Sequence, residues 1–172
     1  MGNHELERCL LSIQQGDDFA MQTLYEKTKN GVFAFVYSYL KNYHDSEDAM
    51  QTVYLKIKTG INGYKKGTNP RAWILQIAKN HSLNLLSKRK REESVDTFPE
   101  ASYVDQRLSG GITETMQKVL SQEEFQIVTL HVLWGYKHRE IASIMQAPTG
   151  TITSKYKRAV EKLKGALKEE KV

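Results

Sequence analysis

Apolar residues recur every three or four positions along most of this chain, the period of a helix buried along one side, rather than alternating as in a half-buried strand. A short helix is expected over residues 5–15, ended near Gly16. Asp17 is placed to cap a longer helix to about Lys41, in which Met21, Leu24, Tyr25, Val32, Phe35, Val36, Tyr39 and Leu40 carry the rhythm. Asp45 is the expected cap of a third helix. Glu47 and Asp48 fall in its first turn, where the helix dipole favours acids, and Ala49, Val53 and Ile57 form its buried stripe. A loop over residues 60–68 contains Gly63 and Gly67. Asn69-Pro70, a capping side chain followed by proline at the first helical position, starts a fourth helix to about Arg91. Ile74, Ile77, Ala78 and Leu85 face inward on it; Trp73, Gln76, Asn80, Asn84 and Ser87 line another side.

The rhythm then stops. Residues 92–111 include Pro99 and Gly110-Gly111 without periodicity and are expected to be a linker. It resumes at Ser121, which forms a capping box with Glu124 and opens a helix with Phe125, Val128, Val132 and Leu133 on its inner side; Gly135 ends it. A helix over about residues 138–145 buries Ile141, Ala142 and Met145. After a tight turn Thr149 is the expected cap of a last helix, with Ile152, Tyr156, Ala159, Val160, Leu163 and Leu167 on one side. Thr153, Ser154, Lys157 and Arg158 point the other way, with Lys155 and Lys162 on the flank. This is the layout of a helix-turn-helix whose second helix enters a DNA major groove, although an amphipathic pair with a solvated basic face has the same pattern. The expected fold is all-α: two small helical domains, residues 1–91 and 112–172, joined by an acidic flexible linker, the C-terminal one containing the helix-turn-helix.

Charge sharpens this reading. The 172 residues carry a net charge of +5, which favours a polyanionic partner. Residues 71–91 hold Arg71, Lys79, Lys88, Arg89, Lys90 and Arg91 and no acid, whereas residues 92–105 hold Glu92, Glu93, Asp96, Glu100 and Asp105 and no Lys or Arg. Blocks of opposite sign point to surfaces with different partners. Cys9 is the only cysteine, so no internal disulfide forms and a reducing compartment is expected. No stretch approaches a membrane span, and the cytoplasm is the expected location. The five histidines are scattered without cysteine partners. With no metal-ligand cluster, phosphate loop or nucleophile–base pair, neither an enzyme nor a metal, cofactor or small-molecule substrate is expected.

Three blocks carry a family resemblance. HDSEDAMQTVYLKI (residues 44–57), NPRAWILQIAKNHSLNLLSKRKR (residues 69–91) and GYKHREIASIMQAPTGTITSKYKRAVEKLK (residues 135–164) resemble, in order and spacing, the polymerase-docking helix, the promoter −10 helix and the −35 helix-turn-helix of bacterial sigma factors of the extracytoplasmic-function class. The resemblance implies a non-catalytic protein that binds core RNA polymerase, through the β′ coiled coil and the β flap, and directs it to promoter DNA. It also implies an anti-sigma factor that masks these surfaces. Asp48, Gln51 and Leu55 would meet polymerase, an acid, an amide and an apolar group suiting a small dry centre with a polar rim.

For the −10 element, the amides of Gln76, Asn80 and Asn84 can bond base edges and Trp73 can stack on an exposed base. Lys79, Lys88 and Arg89 can hold phosphates, while Tyr64, with Asn62, Lys65 and Lys66, is expected to line a pocket for a flipped base. For the −35 element, Thr153, Ser154, Lys157 and Arg158 would read bases, Lys155 and Lys162 would hold phosphates, and Lys137 and Arg139 would contact the backbone. The chain departs from the family where Thr52 stands in place of a common acid, and where Thr153 and Lys155 stand in place of arginine. A polymerase-independent helix-turn-helix regulator is the alternative, but it leaves the amide-and-tryptophan helix without a task.

Overall fold

The computed structural model describes residues 2–93 and 112–169, so most of the expected linker lies outside the described residues. The chain divides into two compact units, Met1–Tyr103 and Val104–Val172. The described elements are all helical.

The first unit is built around α2 (Asp18–Leu40), which packs against α1 (Asn3–Gln14), α3 (Tyr43–Gly60) and α4 (Pro70–Glu93). A helix with neighbours on three sides is buried nearly all round. Accordingly Val32, Ala34, Phe35, Val36, Tyr37 and Ser38 are all withdrawn from solvent. Asp17 caps α2 as expected, its carboxylate accepting from the N–H groups of Phe19 and Ala20. The cap of α3 is Asn42, not Asp45. Lys41 turns the chain through the left-handed region (φ 57°), which brings the Asn42 side chain onto the Asp45 N–H at 3.0 Å. Asp45 is thereby left in the first turn, where it pairs with Arg89 of α4. A single 3-10 turn, Ile61–Gly63, follows α3. The Asn69 side chain accepts from the Ala72 N–H at 3.2 Å, as a cap ahead of Pro70 should. Ala49, Val53 and Ile57 of α3 and Ile74 and Ala78 of α4 are at most 1% exposed, as expected of their stripes, whereas Ile77 and Leu85 of α4 are only half-buried and Leu75 is buried beside Ile74 instead.

In the second unit α8 (Thr149–Glu169) packs against α5 (Ile112–Val119), α6 (Gln122–Val128) and α7 (His138–Met145). α5 falls where no helix was expected. The capping box forms: the Ser121 hydroxyl accepts from the Glu124 N–H, and the Glu124 carboxylate accepts from the Ser121 N–H. The inner side assigned to Val132 and Leu133 is a misreading. Residues Thr129–Leu133 form a π turn, whose extra residue rotates everything after it by most of a helical step. Leu130 and Trp134 are buried instead, and Val132 and Leu133 are 60% and 50% exposed. Thr149 lies inside α8 rather than capping it, because the Pro148 carbonyl already accepts from the Ile152 N–H. The α7–α8 turn runs through Gln146 in the left-handed region, and Ile141, Ala142, Ile152 and Ala159 close the interface behind it.

Among the described residues of this core Glu124 is the one buried acid, and Lys162 of α8 donates to it at 2.7 Å. Burial opposes ionisation, but the Lys162 ammonium and the Ser121 N–H outweigh it and hold the carboxyl below the usual range. Glu124→Gln keeps the shape and loses the charge. It is expected to destabilise the second unit by about 1–2 kcal/mol at neutral pH in thermal unfolding. Because the folded-state pKa is depressed, that stability is present above the ordinary carboxylate value and fades as pH falls through the folded value. The gap between variant and wild type should therefore close on acidification below about pH 4.

Candidate functional site

Burial of one stripe on α3 dictates what its other side presents. Asp48, Gln51 and Leu55 recur at three- and four-residue spacing, all exposed, with Leu55 at 62%. A leucine that open to water beside an acid and an amide is a small apolar anchor with a polar rim.

On α4 the same logic turns Gln76, Asn80, Asn84 and Lys88 outward, while Trp73 and Lys79 are half-buried at the edge of the row. The Gln76 amide donates to the Asn80 carbonyl oxygen at 2.7 Å, which fixes the orientation of both and leaves the Asn80 NH2 to donate outward. Lys88 has only a loose exposed partner, Glu92 at 3.7 Å. Arg89 is committed to Asp45, so its guanidinium is less available for phosphate than the sequence indicated.

Tyr64 is not the open ring expected. It is 3% exposed and meets Trp73 edge-on at 5.4 Å between ring centres. Its hydroxyl lies 3.2 Å from the Thr68 carbonyl and 3.4 Å from the Glu7 carboxylate, and burial pushes the phenol pKa up. No base can stack on Tyr64 in this conformation. What the loop exposes is Asn62, Lys65 and Lys66.

On α8, Ser154, Lys157 and Arg158 are exposed, as are Lys137 and Arg139 at the start of α7. Lys157 and Arg158 make no ion pair with the described residues, so both cations face solvent free. The Ser154 and Thr153 hydroxyls donate back to the carbonyls of Gly150 and Thr149 at 2.5 and 3.0 Å, leaving their lone pairs to accept. The two flanking lysines differ from expectation. Lys155 pairs with Glu123, and Lys162 with Glu124, so α6 carboxylates already occupy the amines meant for phosphates.

Sequence reading also missed what backs α8. His131, His138 and Tyr156 pack their rings within 4.7–4.9 Å of one another. The His131 Nδ1 is 2.8 Å from the Tyr136 carbonyl, and the His138 Nδ1 is 3.2 Å from the Thr153 hydroxyl. Burial, and then the neighbouring His131, pushes the His138 imidazole below its usual range. In sequence these were two of five scattered histidines without cysteine partners, a pattern that points to nothing.

Within the described residues no group of three or more His, Cys, Asp or Glu could hold a metal ion, and no helix is long and apolar enough to cross a membrane. The described geometry is that of a polar face on α4, a polar face on α8, and exposed apolar side chains at Leu55 and at Val132 and Leu133.

Comparison with known proteins agrees. Residues 24–92 match the model of sigma-70 region 2, and residues 114–163 match that of sigma-70 region 4. The chain is 21% identical to the ECF RNA polymerase sigma factor SigW of Bacillus subtilis, covering 95% of this chain and 97% of that one. It is 28% identical to the ECF RNA polymerase sigma-E factor of Escherichia coli K12, covering 87% of each. Among solved structures it is similar to the sigma factor RpoE in complex with the anti-sigma factor NepR from Bartonella quintana. That match has a TM-score of 0.63 at 25% identity, over 88% of this chain and 97% of that one. CnrH, solved with the cytosolic domain of CnrY, shares the fold at a TM-score of 0.61 and 16% identity, over 96% and 98%. With both family regions in order and relatives matched over nearly their full length, this chain belongs to the sigma-70 family of RNA polymerase sigma factors, in the extracytoplasmic-function class.

Proposed function

We propose that this protein is an alternative sigma factor that binds core RNA polymerase in the cytoplasm and directs it to particular promoters. It acts by strand opening at the −10 element and duplex recognition at the −35 element. It is an initiation factor and supplies no catalytic group of its own. The observation that carries the reading is the α4 row of Trp73, Gln76, Asn80 and Asn84, in the same unit as the exposed Leu55 of α3. A helix-turn-helix regulator acting alone has no use for a face suited to unpaired bases or for that apolar anchor.

Leu55, Asp48 and Gln51 dock on the β′ coiled coil. The apolar pair Val132 and Leu133, turned outward by the π turn, suits the β flap. Asn80 and Gln76 take base edges of the separated strand, with phosphates held by Lys79 and Lys88. Trp73, half-buried beside Tyr64, is the aromatic available for stacking. Unstacking a base costs a few kcal/mol and stacking with capture returns about 1–3 kcal/mol per base, so a short row of this kind can balance local opening. Lys157 and Arg158 read the −35 groove, with Thr153 and Ser154 as acceptors, and Lys137 and Arg139 hold the backbone. One relative of known structure, RpoE of Bartonella quintana, is a complex with an anti-sigma factor, and a partner of that kind covering these surfaces is the natural way to hold this chain inactive.

Run-off transcription with core polymerase over a genomic library tests the whole reading: defined start sites are expected, and none from any template would end it. Leu55→Asp should weaken core polymerase binding by about 10–100-fold while leaving the melting temperature of the free protein unchanged, since the side chain is exposed. Asn80→Ala should reduce permanganate reactivity of the −10 bubble by about tenfold with polymerase binding intact. Glu123→Gln frees Lys155. Holoenzyme carrying it should bind a −35 duplex a few-fold more tightly at low salt, with the salt slope steeper by about one phosphate contact; an unchanged slope would mean that Lys155 does not reach DNA.

A further inference from the structure

Helix α1 precedes the stretch matched by region 2, and nothing in the proposed function uses it. Yet two of its side chains reach across more than forty residues of sequence to the loop between α3 and α4. The Gln14 amide donates both its hydrogens there, to the Ile61 carbonyl at 2.9 Å and the Tyr64 carbonyl at 2.8 Å. A Glu7 carboxylate oxygen accepts from the Gly67 N–H at 2.6 Å and lies 3.4 Å from the Tyr64 hydroxyl. Gly67 adopts the left-handed region (φ 83°), which aims that N–H back toward α1. Within the loop the Thr68 hydroxyl and N–H both donate to the Lys65 carbonyl, and the Tyr64 hydroxyl reaches the Thr68 carbonyl.

The carbonyls of Ile61, Tyr64, Lys65 and Thr68 are therefore all satisfied internally, and the Asn62, Lys65 and Lys66 side chains are left facing solvent. A loop held this way has a fixed outer surface before any ligand arrives, so capture of a base does not have to order it.

We propose that Gln14 and Glu7 are positioning residues for −10 base capture: α1 is the strut that sets the shape of the receiving loop. This rests on the reading of residues 60–68 as the loop that receives a flipped base. Neither residue touches the base; each acts through backbone groups of the loop. Chemistry separates this from a general contribution to stability. Gln14→Glu is isosteric, but it turns a double donor into an acceptor facing two carbonyl oxygens, so it should be worse than Gln14→Ala. Glu7→Gln keeps an acceptor oxygen for the Gly67 N–H and should behave as wild type, whereas Glu7→Ala should not.

The experiment uses full-length protein assembled with core polymerase on a promoter carrying 2-aminopurine in place of successive −10 bases. Fluorescence reports unstacking, and base discrimination is measured at the captured position. Gln14→Glu and Glu7→Ala are expected to lower both by about tenfold, with core binding and −35 duplex affinity unchanged and with Glu7→Gln restoring wild-type values. Asn62→Ala and Lys65→Ala, made in the loop itself, are the companion variants. Should the loop variants be defective while folded Gln14→Glu and Glu7→Ala holoenzymes capture the base normally, the strut is overturned and the loop reading stands. Should the loop variants also be normal, both are overturned. If Gln14→Glu proves too unstable to assemble, the Glu7 pair decides alone: equal behaviour of Glu7→Gln and Glu7→Ala refutes the strut.

Discussion

Burial of one stripe per helix around α2 is the constraint from which the presented surfaces follow. Ala49, Val53 and Ile57 cannot be turned to water without exposing three apolar side chains, each worth on the order of 1–3 kcal/mol when buried. Nor can Ile74 and Ala78. With those stripes locked against α2, the rotation of α3 and α4 about their own axes is no longer free, and Leu55 and Asn80 have only one direction to face. Binding surfaces on helices inherit their aim from the core behind them. The Asp45–Arg89 pair ties the start of α3 to the end of α4 and fixes that aim from the side.

The helices were legible in the sequence because their periodicity is the same physical fact as their burial. Asp17, Asn69-Pro70 and the Ser121–Glu124 box act within four residues, and they appear in the structure as local chemistry requires. Two other local caps, Asp45 and Thr149, were misplaced by one to three residues, and beyond those the reading failed where a side chain's fate is decided by something distant. Tyr64 looks like an aromatic in a basic loop, and only the return of α1 and Trp73 makes it a packing residue. Lys155 and Lys162 look like free cations, and only the approach of α6 neutralises them. Val132 and Leu133 failed for a different reason: a wheel drawn at constant pitch cannot anticipate a π turn, and one extra residue turns an inner pair outward.

Charge in the second unit divides into a structural set and an exposed set. Glu123 and Glu124 of α6 engage Lys155 and Lys162, whereas Lys157 and Arg158 are exposed and make no ion pair with the described residues. The net positive charge of the chain therefore overstates the phosphate grip and understates its direction. A pair such as Lys155–Glu123, with the acid more than half exposed, adds little to stability, so its lysine can be recruited at small cost when a polyanion offers more.

Neither face is extensive: one short row on α4 and the exposed Lys157 and Arg158 on α8 would be modest grips on DNA. Sigma factors of this class can use grips of that size because polymerase carries both, which makes the second contact intramolecular. Weak modules also have a positive use. A protein that bound promoter duplex tightly by itself would occupy sites without polymerase, whereas one whose grips add up only on the enzyme is silent until assembled. On the proposed reading, the exposed Leu55 bears on promoter choice as much as any residue that touches a base, since docking is what brings the two grips together.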